Sequence, residues 1–371
     1  MPNKKIKIAL IGYRLGSGGA EKVMANLSIF FEKHNIEVHN IIVINQVSYP
    51  FEGKLINLGL LKTSRNGFFD KLRRLYFLKR YLSRNKFDFI IDFRFRNKPL
   101  QELVIAKFLY KSKTIFTVHS YLVDHYMPNW SYLTRIMYQK CYKIVTVTND
   151  IKKFIEKKHS LKNLQTIYNP VNVEEIQLKY NNLINFKDEF IIGIGQMETN
   201  VKQFDVLIEA YANSELVSKN IHLILLGEGQ QMARLKTLAE QKMVANSVHF
   251  FGYDENPYKY LKNSRFFVLS SANEGMPNVL LESLACHTPV ISFDCLSGPN
   301  EIITDRYNGL LVENQNRDQL TLAMNLFCTD TKLYNFCKSN AFASVSKYTL
   351  ENIGSQWLDL MQINKLQNNA N

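Results

Sequence analysis

Ten short runs rich in Ile, Val and Phe recur along this chain, separated by segments in which apolar residues have helical spacing. The first five are Ile6–Ile11, Val38–Ile44, Phe87–Phe93, Thr114–Val118 and Ile144–Val147, and the second five are Phe190–Ile194, Ile221–Leu226, Val248–Phe250, Phe266–Leu269 and Pro289–Ser292. Continuous apolar runs are typical of strands buried on both faces of a parallel sheet. The pattern therefore predicts an α/β fold with two doubly wound domains in series.

The length of the chain fits two domains of ordinary size, because 371 residues with 46% apolar side chains can fill two cores. An Asn- and Lys-rich stretch within Asn172–Glu189 separates the two groups of strands. We predict a first domain over residues 1–175, a second over 176–348 and a terminal segment over 349–371. The terminal segment carries a helix, roughly Leu350–Leu366, that can pack on either domain.

Cysteine usage and hydropathy indicate the cellular compartment of the protein. The five cysteines are scattered and form no C-x-x-C pair, which argues against a disulfide framework or a structural zinc site. No D-x-D motif is present, so nothing in the sequence requires a bound metal. No stretch reaches the roughly 18 uninterrupted apolar residues of a membrane-spanning helix, and Lys7 interrupts the N-terminal run, which we interpret as a strand. We predict a cytoplasmic protein, either soluble or lying on the inner face of the cell membrane.

Positive charge is concentrated in one half of the chain. Residues 1–175 contain 30 Lys and Arg against 13 Asp and Glu, or +17, whereas residues 176–371 contain 16 against 20, or −4. Such asymmetry favours an anionic partner for the first half, either a lipid surface or a phosphorylated substrate. A merely solubilising surface is the alternative. Nucleic acid is disfavoured, because no zinc-finger spacing, RNA-recognition motif or basic zipper occurs.

A basic amphipathic helix is predicted over Phe69–Leu82, where four leucines mix with five basic residues. Such a helix can lie at an anionic lipid surface or follow the phosphates of an acceptor. An ordinary core-facing helix with a charged outer face explains the pattern equally well. Arg94 and Arg96, just after the strand Phe87–Phe93, are further candidates for binding acceptor phosphate.

The stretch from Glu274 to Glu282 combines a loop carboxylate, a glycine, a proline suited to a first helical turn and a second carboxylate. About 8 Å of helix rise separates Glu282 from the helix start, comparable with the span of a diphosphate. Glu282 could therefore accept ribose hydroxyls while helix amides near Asn278 and Val279 hold phosphate oxygens. A glutamate that merely favours the helix dipole is the alternative, but it leaves the Glu-Gly-x-Pro arrangement unexplained.

Three further features follow predicted strands. The glycine-rich turn Gly16–Glu21 offers backbone amides to a phosphate, although a plain tight turn explains it as well. Lys202 can neutralise a diphosphate as a point charge, although taken without the rest of the chain it is better explained as a solvated lysine at a helix start. His119 can hydrogen-bond a sugar hydroxyl, or it can be a partly buried histidine satisfied by backbone.

Taken in order, the motifs of the chain resemble those of the retaining GT-B glycosyltransferases of family 4. They are Gly16–Glu21, His119, Tyr168–Val171, Gly195 with Lys202, Leu225–Gly229, Phe250–Gly252, Ser270–Pro277 with Glu282, and Gly298–Ile303. The resemblance covers nearly the whole chain and preserves the order and spacing of the motifs. The motifs of the second half are the more specific ones.

The resemblance implies a GT-B fold, in which two facing Rossmann-like domains enclose a cleft, the second holding a nucleotide sugar and the first an acceptor. It assigns Lys202 to the donor diphosphate, Glu282 to the ribose, Glu274 to the donor sugar, and His119 to the sugar near its reacting face. The remaining donor-site residues that it implies are Gly18, Gly19, Gln196, Gly252, Gly275, Met276, Pro277, Asn278 and Val279. His119 and Glu274 are the residues expected at the reacting centre. The last helix is expected to cross back to the first domain.

Two positions depart from the family pattern. Gln196 stands where the family usually has arginine, which removes one cationic contact to the leaving group. Gln203 replaces the glycine that often follows the lysine. Lys202 is therefore expected to carry more of the charge neutralisation.

The predicted function is retaining transfer of a hexose or N-acetylhexosamine from a UDP-sugar to a lipid-linked or cell-surface glycan, in polysaccharide, lipopolysaccharide or other glycan biosynthesis. The predicted partners are the nucleotide sugar, a glycan or polyprenyl-phosphate-linked acceptor, and an anionic membrane surface, with no nucleic acid. No cofactor or metal is expected. The alternatives are a non-hydrolysing nucleotide-sugar epimerase and a nucleotide-sugar-binding partner without turnover.

Overall fold

A computed structural model of the chain divides into two units. The structure describes residues 5–16, 18–63 and 67–363, apart from the side chain of Phe68. The first unit comprises Met1–Pro170 and Leu350–Asn371, and the second comprises Val171–Thr349. The division between the units falls five residues before the expected boundary at residue 175. Ser17 of the glycine-rich turn and positions 364–366 of the predicted last helix lie outside the described residues.

The first unit is built on a parallel sheet of seven strands within the described residues. The strands are β1 (Lys7–Gly12), β2 (Glu37–Ile42), β3 (Lys54–Asn57), β4 (Phe89–Asp92), β5 (Lys113–Val118), β6 (Lys143–Thr146) and β7 (Leu164–Thr166). Their order across the sheet is β3-β2-β1-β4-β5-β6-β7. The central strand β1 pairs Ile8 with Val38 of β2 and with Phe89 of β4. The chain therefore reverses its direction of winding between β1 and β4, the place where doubly wound folds bind ligands.

Helices cover the sheet of the first unit. They are α1 (Gly19–Lys33), α2 (Phe68–Asn85), α3 (Pro99–Val104), α4 (Ser131–Tyr138) and α5 (Asn149–His159), with 3-10 turns at Leu58–Leu61 and Val123–His125 and a π-helical turn at Ile105–Leu109. Helix α1 buries Val23, Leu27 and Phe30 at helical spacing, which places its apolar stripe on the sheet.

The second unit repeats the design with six parallel strands among the described residues. The strands are β8 (Phe190–Ile194), β9 (His222–Leu226), β10 (Val248–Gly252), β11 (Phe267–Leu269), β12 (Val290–Phe293) and β13 (Gly309–Val312), in the order β10-β9-β8-β11-β12-β13. The helices are α6 (Val173–Lys179), α7 (Phe204–Ala212), α8 (Met232–Gln241), α9 (Tyr258–Asn263), α10 (Asn278–Ala285), α11 (Pro299–Ile302), α12 (Arg317–Thr329) and α13 (Thr331–Ser344), with 3-10 turns at Asn200–Lys202 and Ser346–Tyr348. The winding reverses between β8 and β11.

The last helix, α14 (Leu350–Met361), belongs to the first unit and packs on α1. Gly354 allows this close approach, because a Cβ atom there would lie 2.5 Å from ring atoms of Phe30. Trp357 is buried, and the hydroxyl of Tyr142 donates a hydrogen bond to the carbonyl of Leu360 at 2.9 Å. Core packing and a hydrogen bond thus hold α14 on the first unit.

The predicted fold class is confirmed, and each of the ten predicted strands is present. Three strands were not predicted: β3, β7 and β13. Strand β3 is a partly exposed edge strand, β7 has only three residues, and β13 begins with glycine. Edge position, shortness and a weak strand former each remove the apolar signal on which the prediction rests.

The predicted basic helix is present as α2, and its two faces differ. Leu78 and Leu82 are buried, whereas Leu72, Tyr76 and Phe77 are exposed. The helix therefore both contributes to the core and presents a basic, partly apolar surface. Among the residues that the structure describes, no helix combines the length and hydropathy needed to cross a membrane.

Candidate functional site

Two loops of the second unit meet where the winding of its sheet reverses. One follows β8 and runs from Gly195 to the 3-10 turn that ends at Lys202, and the other follows β11 and runs from Ser270 to Pro277. The loops are joined by a hydrogen bond from the Ala272 amide to the Val201 carbonyl (2.8 Å). Because the carboxyl ends of adjacent parallel strands share one edge, residues 68 to 72 positions apart become neighbours here.

An ion pair lies at the centre of this edge. The Nζ atom of Lys202 lies 2.6 Å from Oε1 of Glu274, and the hydroxyl of Ser271 donates to the same oxygen at 2.7 Å. The two charged side chains are 24% and 13% exposed, so solvent screens the pair only in part. The stem of Lys202 lies over Gly195, where a Cβ atom would be 3.0 Å from it. The edge thus presents a fixed cation beside a fixed carboxylate.

The loop between β12 and α11 supports Glu274 from behind. The Glu274 amide donates to the Leu296 carbonyl at 2.7 Å, and the Ser297 hydroxyl donates to the Gly275 carbonyl at 2.8 Å. Gly298 has φ +105°, and a Cβ atom there would lie 2.8 Å from Cδ of Pro277 and 2.9 Å from the Gly275 carbonyl oxygen. Ser271, Ser297 and Gly298 were not among the predicted site residues. Ser271 and Gly298 lie within motifs that carry the family resemblance, and Ser297 directly precedes one, but the sequence assigned no role to any of the three.

Helix α10 starts at this same edge. Pro277 is its N-cap residue and offers no side-chain acceptor to the first amides of the helix. Asn278 and Val279 are half-buried in the first turn, whereas Met276 is buried just before it. The start of a helix without a side-chain cap attracts anions through its amides and its dipole. Glu282, 9% exposed, lies one turn further in.

Three glycines bring the neighbouring loops into close contact. Gly227 has φ +143°, and a Cβ atom there would overlap the carbonyl oxygen of Gly195. The Gly227 amide donates to the Gly252 carbonyl at 2.7 Å, which joins the ends of β9 and β10. Tyr253, exposed beside Gly252, donates its amide to the carboxylate of Glu228 at 3.2 Å. Tyr253 is an exposed aromatic residue at this edge that sequence reasoning missed.

We expect Gly227→Ala to destabilise the protein by about 2–4 kcal/mol, because alanine must accept both a positive φ and a clash with backbone. Chemical denaturation followed by circular dichroism measures the change. Gly67→Ala is the matched control, since Gly67 has φ −87° and is exposed. The control is expected to change stability by less than about 1 kcal/mol. Equal denaturation midpoints for Gly227→Ala and the wild type would contradict the steric account.

The two residues that depart from the family pattern, Gln196 and Gln203, lie in different environments. Gln196 is exposed next to Gly195. Gln203 adopts φ +46° and pairs its side-chain amide with Oε1 of Gln315 at 2.8 Å. Gln203 therefore keeps the left-handed conformation that glycine adopts easily, and the hydrogen bond to Gln315 helps to hold it there.

In the first unit, the glycine-rich turn leads from β1 to α1. Gly18 is the N-cap of α1 and Gly19 its first residue, with no side-chain hydrogen bond at the cap. The carboxylate of Glu21 folds back against Gly18, so a Cβ atom at this position would require the Glu21 side chain to move. Arg14 lies 3.6 Å from the same carboxylate. A second helix start thus lies at the carboxyl edge of the first sheet.

His119 follows β5 and faces an unusual environment. Both of its ring nitrogens are buried and have no hydrogen-bond partner among the described residues, although the residue as a whole is partly exposed. Its ring packs on Phe93 with centroids 5.6 Å apart. Burial, followed by the charge of Arg96, lowers the pKa of His119 to about 3, and Asn169 acts in the opposite direction. His119 is therefore a neutral imidazole at physiological pH.

The prediction that Arg94 binds acceptor phosphate is corrected by the structure. Arg94 is buried and donates to Asp92 (Nε to Oδ1 3.0 Å, Nη2 to Oδ2 2.7 Å), to Glu102 (3.0 Å) and to Tyr110 (3.2 Å). Burial alone would raise the pKa of Asp92, but Arg94 and Arg96 outweigh it and hold that pKa below its usual range. Arg94 is thus committed to a buried ion-pair network.

Arg96 is corrected in the same way. It is 1% exposed and donates to the backbone carbonyls of Tyr126, Asp92, Arg94 and Thr117 at 2.8–3.3 Å. Its guanidinium also lies 5.1–5.7 Å from the ring centroids of Phe116, Tyr126 and Tyr138. A side chain enclosed in this way holds the ends of β4 and β5 together and does not reach an external phosphate.

Within the described parts of the chain, no group of three or more His, Cys, Asp or Glu side chains has an arrangement that could hold a metal ion.

Two family models match adjoining parts of the chain. One, described as "Glycosyltransferase Family 4", matches residues 17–175, and the other, described as "Glycosyl transferases group 1", matches residues 175–344. The boundary between the two matches lies close to the division between the structural units.

Curated relatives match nearly the whole chain. The N-acetylgalactosamine-N,N'-diacetylbacillosaminyl-diphospho-undecaprenol 4-alpha-N-acetylgalactosaminyltransferase of Campylobacter jejuni is 30% identical over 348 residues, which cover 90% of this chain and 93% of that protein. The amylovoran biosynthesis glycosyltransferase AmsD of Erwinia amylovora is 25% identical over 361 residues, covering 93% and 96%. The crystal structure of Anabaena HepE with UDP-glucose superposes with a TM-score of 0.75 at 17% identity, covering 96% and 99%. At that identity the superposition shows the shared fold.

Proposed function

Because the chain belongs to glycosyltransferase family 4, whose members are retaining enzymes of GT-B fold, we propose that it moves a hexose or N-acetylhexosamine from a UDP-sugar to a lipid-linked or cell-surface glycan. The reaction would serve the biosynthesis of a polysaccharide, a lipopolysaccharide or another glycan. The N-acetylgalactosaminyl group in the name of the Campylobacter relative supports an N-acetylhexosamine, and HepE with UDP-glucose supports a uridine donor.

The observation that carries the proposal is the Lys202–Glu274 pair beside the start of α10. A nucleotide sugar combines a diphosphate, which needs positive charge and amides, with hydroxyls, which need acceptors. Lys202 and the α10 amides near Asn278 and Val279 suit the diphosphate. Glu274 and the backbone of Gly275, Met276 and Pro277 suit the sugar, and Glu282 suits the ribose hydroxyls. The other proposed donor contacts are Gly18, Gly19, Gln196 and Gly252.

The chemistry that these residues can perform is stabilisation of a departing diphosphate. As the glycosidic bond breaks, negative charge grows on the leaving phosphate, and a preorganised cation and helix dipole stabilise that charge without reorganising. In the mechanism that the family resemblance implies, the leaving phosphate takes the proton of the acceptor hydroxyl on the same face of the sugar. Glu274 then positions the sugar and is not a covalent nucleophile. His119, neutral at physiological pH, can donate one ring N–H to a sugar hydroxyl.

The proposed acceptor is a glycan or a polyprenyl-phosphate-linked saccharide, with the protein at the inner face of the cell membrane. The charge of +17 on residues 1–175 supports this part of the proposal. Helix α2 supports it as well, since its exposed basic side chains could lie along an anionic lipid surface. The Campylobacter relative bears the diphospho-undecaprenol acceptor in its name.

One observation favours a second candidate, a nucleotide-sugar-binding partner without turnover. Gln196 brings no charge to the position where the family usually has arginine, which weakens stabilisation of the leaving group relative to binding. A non-hydrolysing epimerase remains the enzymatic alternative, and it differs in changing the sugar without any acceptor.

A thermal-shift panel of UDP-, GDP- and ADP-sugars tests the donor, because a ligand at 100 times its Kd stabilises a protein by about 2.7 kcal/mol. We expect stabilisation by UDP-sugars and UDP release when a polyprenyl-diphosphate-linked saccharide is added. Failure of every UDP-sugar to stabilise the protein would contradict the proposed donor. Stabilisation without UDP release identifies the binding partner, and a changed sugar without acceptor identifies the epimerase.

A further inference from the structure

One helix of the first unit presents its apolar residues to solvent. Leu100 and Val104 of α3 and Phe108 of the following π-helical turn are four residues apart and share a face. They are 78%, 41% and 65% exposed, respectively. Core-facing helices normally turn such a stripe inward. Here the inward side instead carries Ile105 and Leu109.

Helix α4 extends this exposed surface. It lies against the π-helical turn, and Trp130, Tyr132 and Ile136 at its start and along its length are 67%, 58% and 40% exposed. The rings of Trp130 and Tyr132 lie 5.8 Å apart. We call the six residues the α3–α4 apolar face: Leu100, Val104, Phe108, Trp130, Tyr132 and Ile136. Contiguous exposed apolar residues on a folded protein mark interaction sites.

The segments that carry the α3–α4 apolar face are basic. Residues 98–111 and 130–140 contain five basic residues, Lys98, Lys107, Lys111, Arg135 and Lys140. They contain one acidic residue, Glu102, which is buried and paired with Arg94 at 3.0 Å. The outward charge of these segments is therefore positive.

We propose that the α3–α4 apolar face docks on the surface of an anionic lipid bilayer. Trp and Tyr favour the interfacial layer, where the ring is buried and the polar atom stays wet, and lysines pair with anionic headgroups. A second copy of this chain fits less well, because its own basic residues would face those of the first. The proposal rests on the proposed function in one respect: a lipid-linked acceptor presents its phosphates at that surface.

Intrinsic fluorescence tests the docking directly, because Trp130 and Trp357 are the two tryptophans of the chain. Trp130 is 67% exposed and Trp357 is 2% exposed, so a change of polarity on docking reports on Trp130. Added vesicles of phosphatidylcholine with phosphatidylglycerol are expected to shift the emission to the blue. Lipids with brominated acyl chains are expected to quench it. Vesicles of phosphatidylcholine alone are expected to bind more weakly.

Two variants complete the experiment. Trp130→Phe keeps an aromatic ring and is expected to sediment with vesicles while losing the fluorescence response. Leu100→Ser with Phe108→Ser is expected to weaken vesicle binding by about tenfold or more. Both substituted positions are exposed, so thermal melting close to that of the wild type is expected and shows that the fold is intact.

Unchanged emission of the wild type on adding anionic vesicles would overturn the proposal. So would a blue shift that grows with protein concentration in the absence of lipid, since it would assign the face to self-association. Wild-type vesicle affinity in the serine variant would overturn it as well. The proposed function is judged separately, by UDP-sugar stabilisation and by UDP release with a water-soluble short-chain acceptor, neither of which needs a bilayer.

Discussion

Replacing Lys202 with alanine is expected to lower kcat/KM for the UDP-sugar by about 10²–10³-fold, the usual effect of removing one preorganised group that stabilises developing negative charge. The ammonium lies at the reversal point of the second sheet, 2.6 Å from the Glu274 carboxylate. Gln196 supplies no second charge from the same loop. Lys202 is therefore expected to carry an unusually large share of the stabilisation.

Steady-state kinetics and calorimetry with UDP separate the two parts of this effect. A loss of donor binding raises the Kd for UDP, whereas a loss confined to the transition state lowers kcat. Lys242→Ala is the matched control, because its ammonium forms a similar pair with Glu209 at 3.0 Å on the surface. The control is expected to retain kcat/KM within about twofold.

Gln196→Arg provides the reciprocal test. If charge at this loop limits the reaction, the added guanidinium should raise kcat/KM by about tenfold, and it should partly rescue Lys202→Ala. A Lys202→Ala protein with kcat/KM close to that of the wild type would show that the donor diphosphate lies elsewhere. An unaltered rate in Gln196→Arg, with Lys202→Ala impaired, would leave Lys202 as the sole effective cation of the loop.

Replacing Arg94 with methionine is expected to destabilise the protein by about 3–5 kcal/mol, because it leaves a buried carboxylate without its partner. Asp92 is 0% exposed and receives two hydrogen bonds from the Arg94 guanidinium. Glu102 and Tyr110 lose their contacts with the same group. Chemical denaturation measures the difference, and exposed Arg80→Met in α2 is expected to stay within about 0.5 kcal/mol of the wild type.

The stability lost in Arg94→Met is expected to be smaller at acidic pH than at neutral pH. In the wild type the pKa of Asp92 lies below its usual value, so its contribution to stability is present above the pKa of the unfolded carboxyl and is lost as the pH falls through the folded pKa. Without Arg94, burial raises the pKa of Asp92, and the folded variant takes up a proton more readily. The difference in the free energy of unfolding between the wild type and Arg94→Met should therefore become smaller as the pH is lowered from about 7 to about 4.

A triple substitution distinguishes pairing from packing. Asp92→Leu, Arg94→Met and Glu102→Leu together remove all three charges, and they are expected to recover part of the stability that Arg94→Met loses. Equal stabilities of the Arg94→Met protein and the wild type at neutral pH would contradict the ion-pair account. A difference that widens on acidification would contradict the assignment to Asp92.

The incorrect prediction that Arg94 and Arg96 bind acceptor phosphate shows that the sequence did not predict burial. Both residues follow a strand at the carboxyl edge of a sheet, where ligands bind, and a linear sequence does not distinguish a guanidinium facing outward from one enclosed by the fold. The partners of Arg94 come from positions up to 16 residues away, and Arg96 bonds to Tyr126, 30 residues away. Burial is decided by such non-local neighbours.

The same distinction applies to the candidate site. The glycines, the Glu-Gly-Met-Pro stretch and the position of Lys202 after a strand were all visible as local patterns. The contact between Lys202 and Glu274, 72 residues apart, and the support from Ser297 and Gly298 arise only when β8, β11 and β12 lie side by side.

By itself, the sequence determined the class of fold, ten of the strands and the family, because apolar runs, helical spacing and glycine turns act within a few residues and persist in any arrangement of the chain. The tertiary structure decided which charges are enclosed, which side chains share the candidate site, and that Leu100, Phe108 and Trp130 face outward. The physical reason is that burial and pairing depend on the summed packing of segments distant in sequence. Their cost or gain is set by the neighbours that the fold brings together.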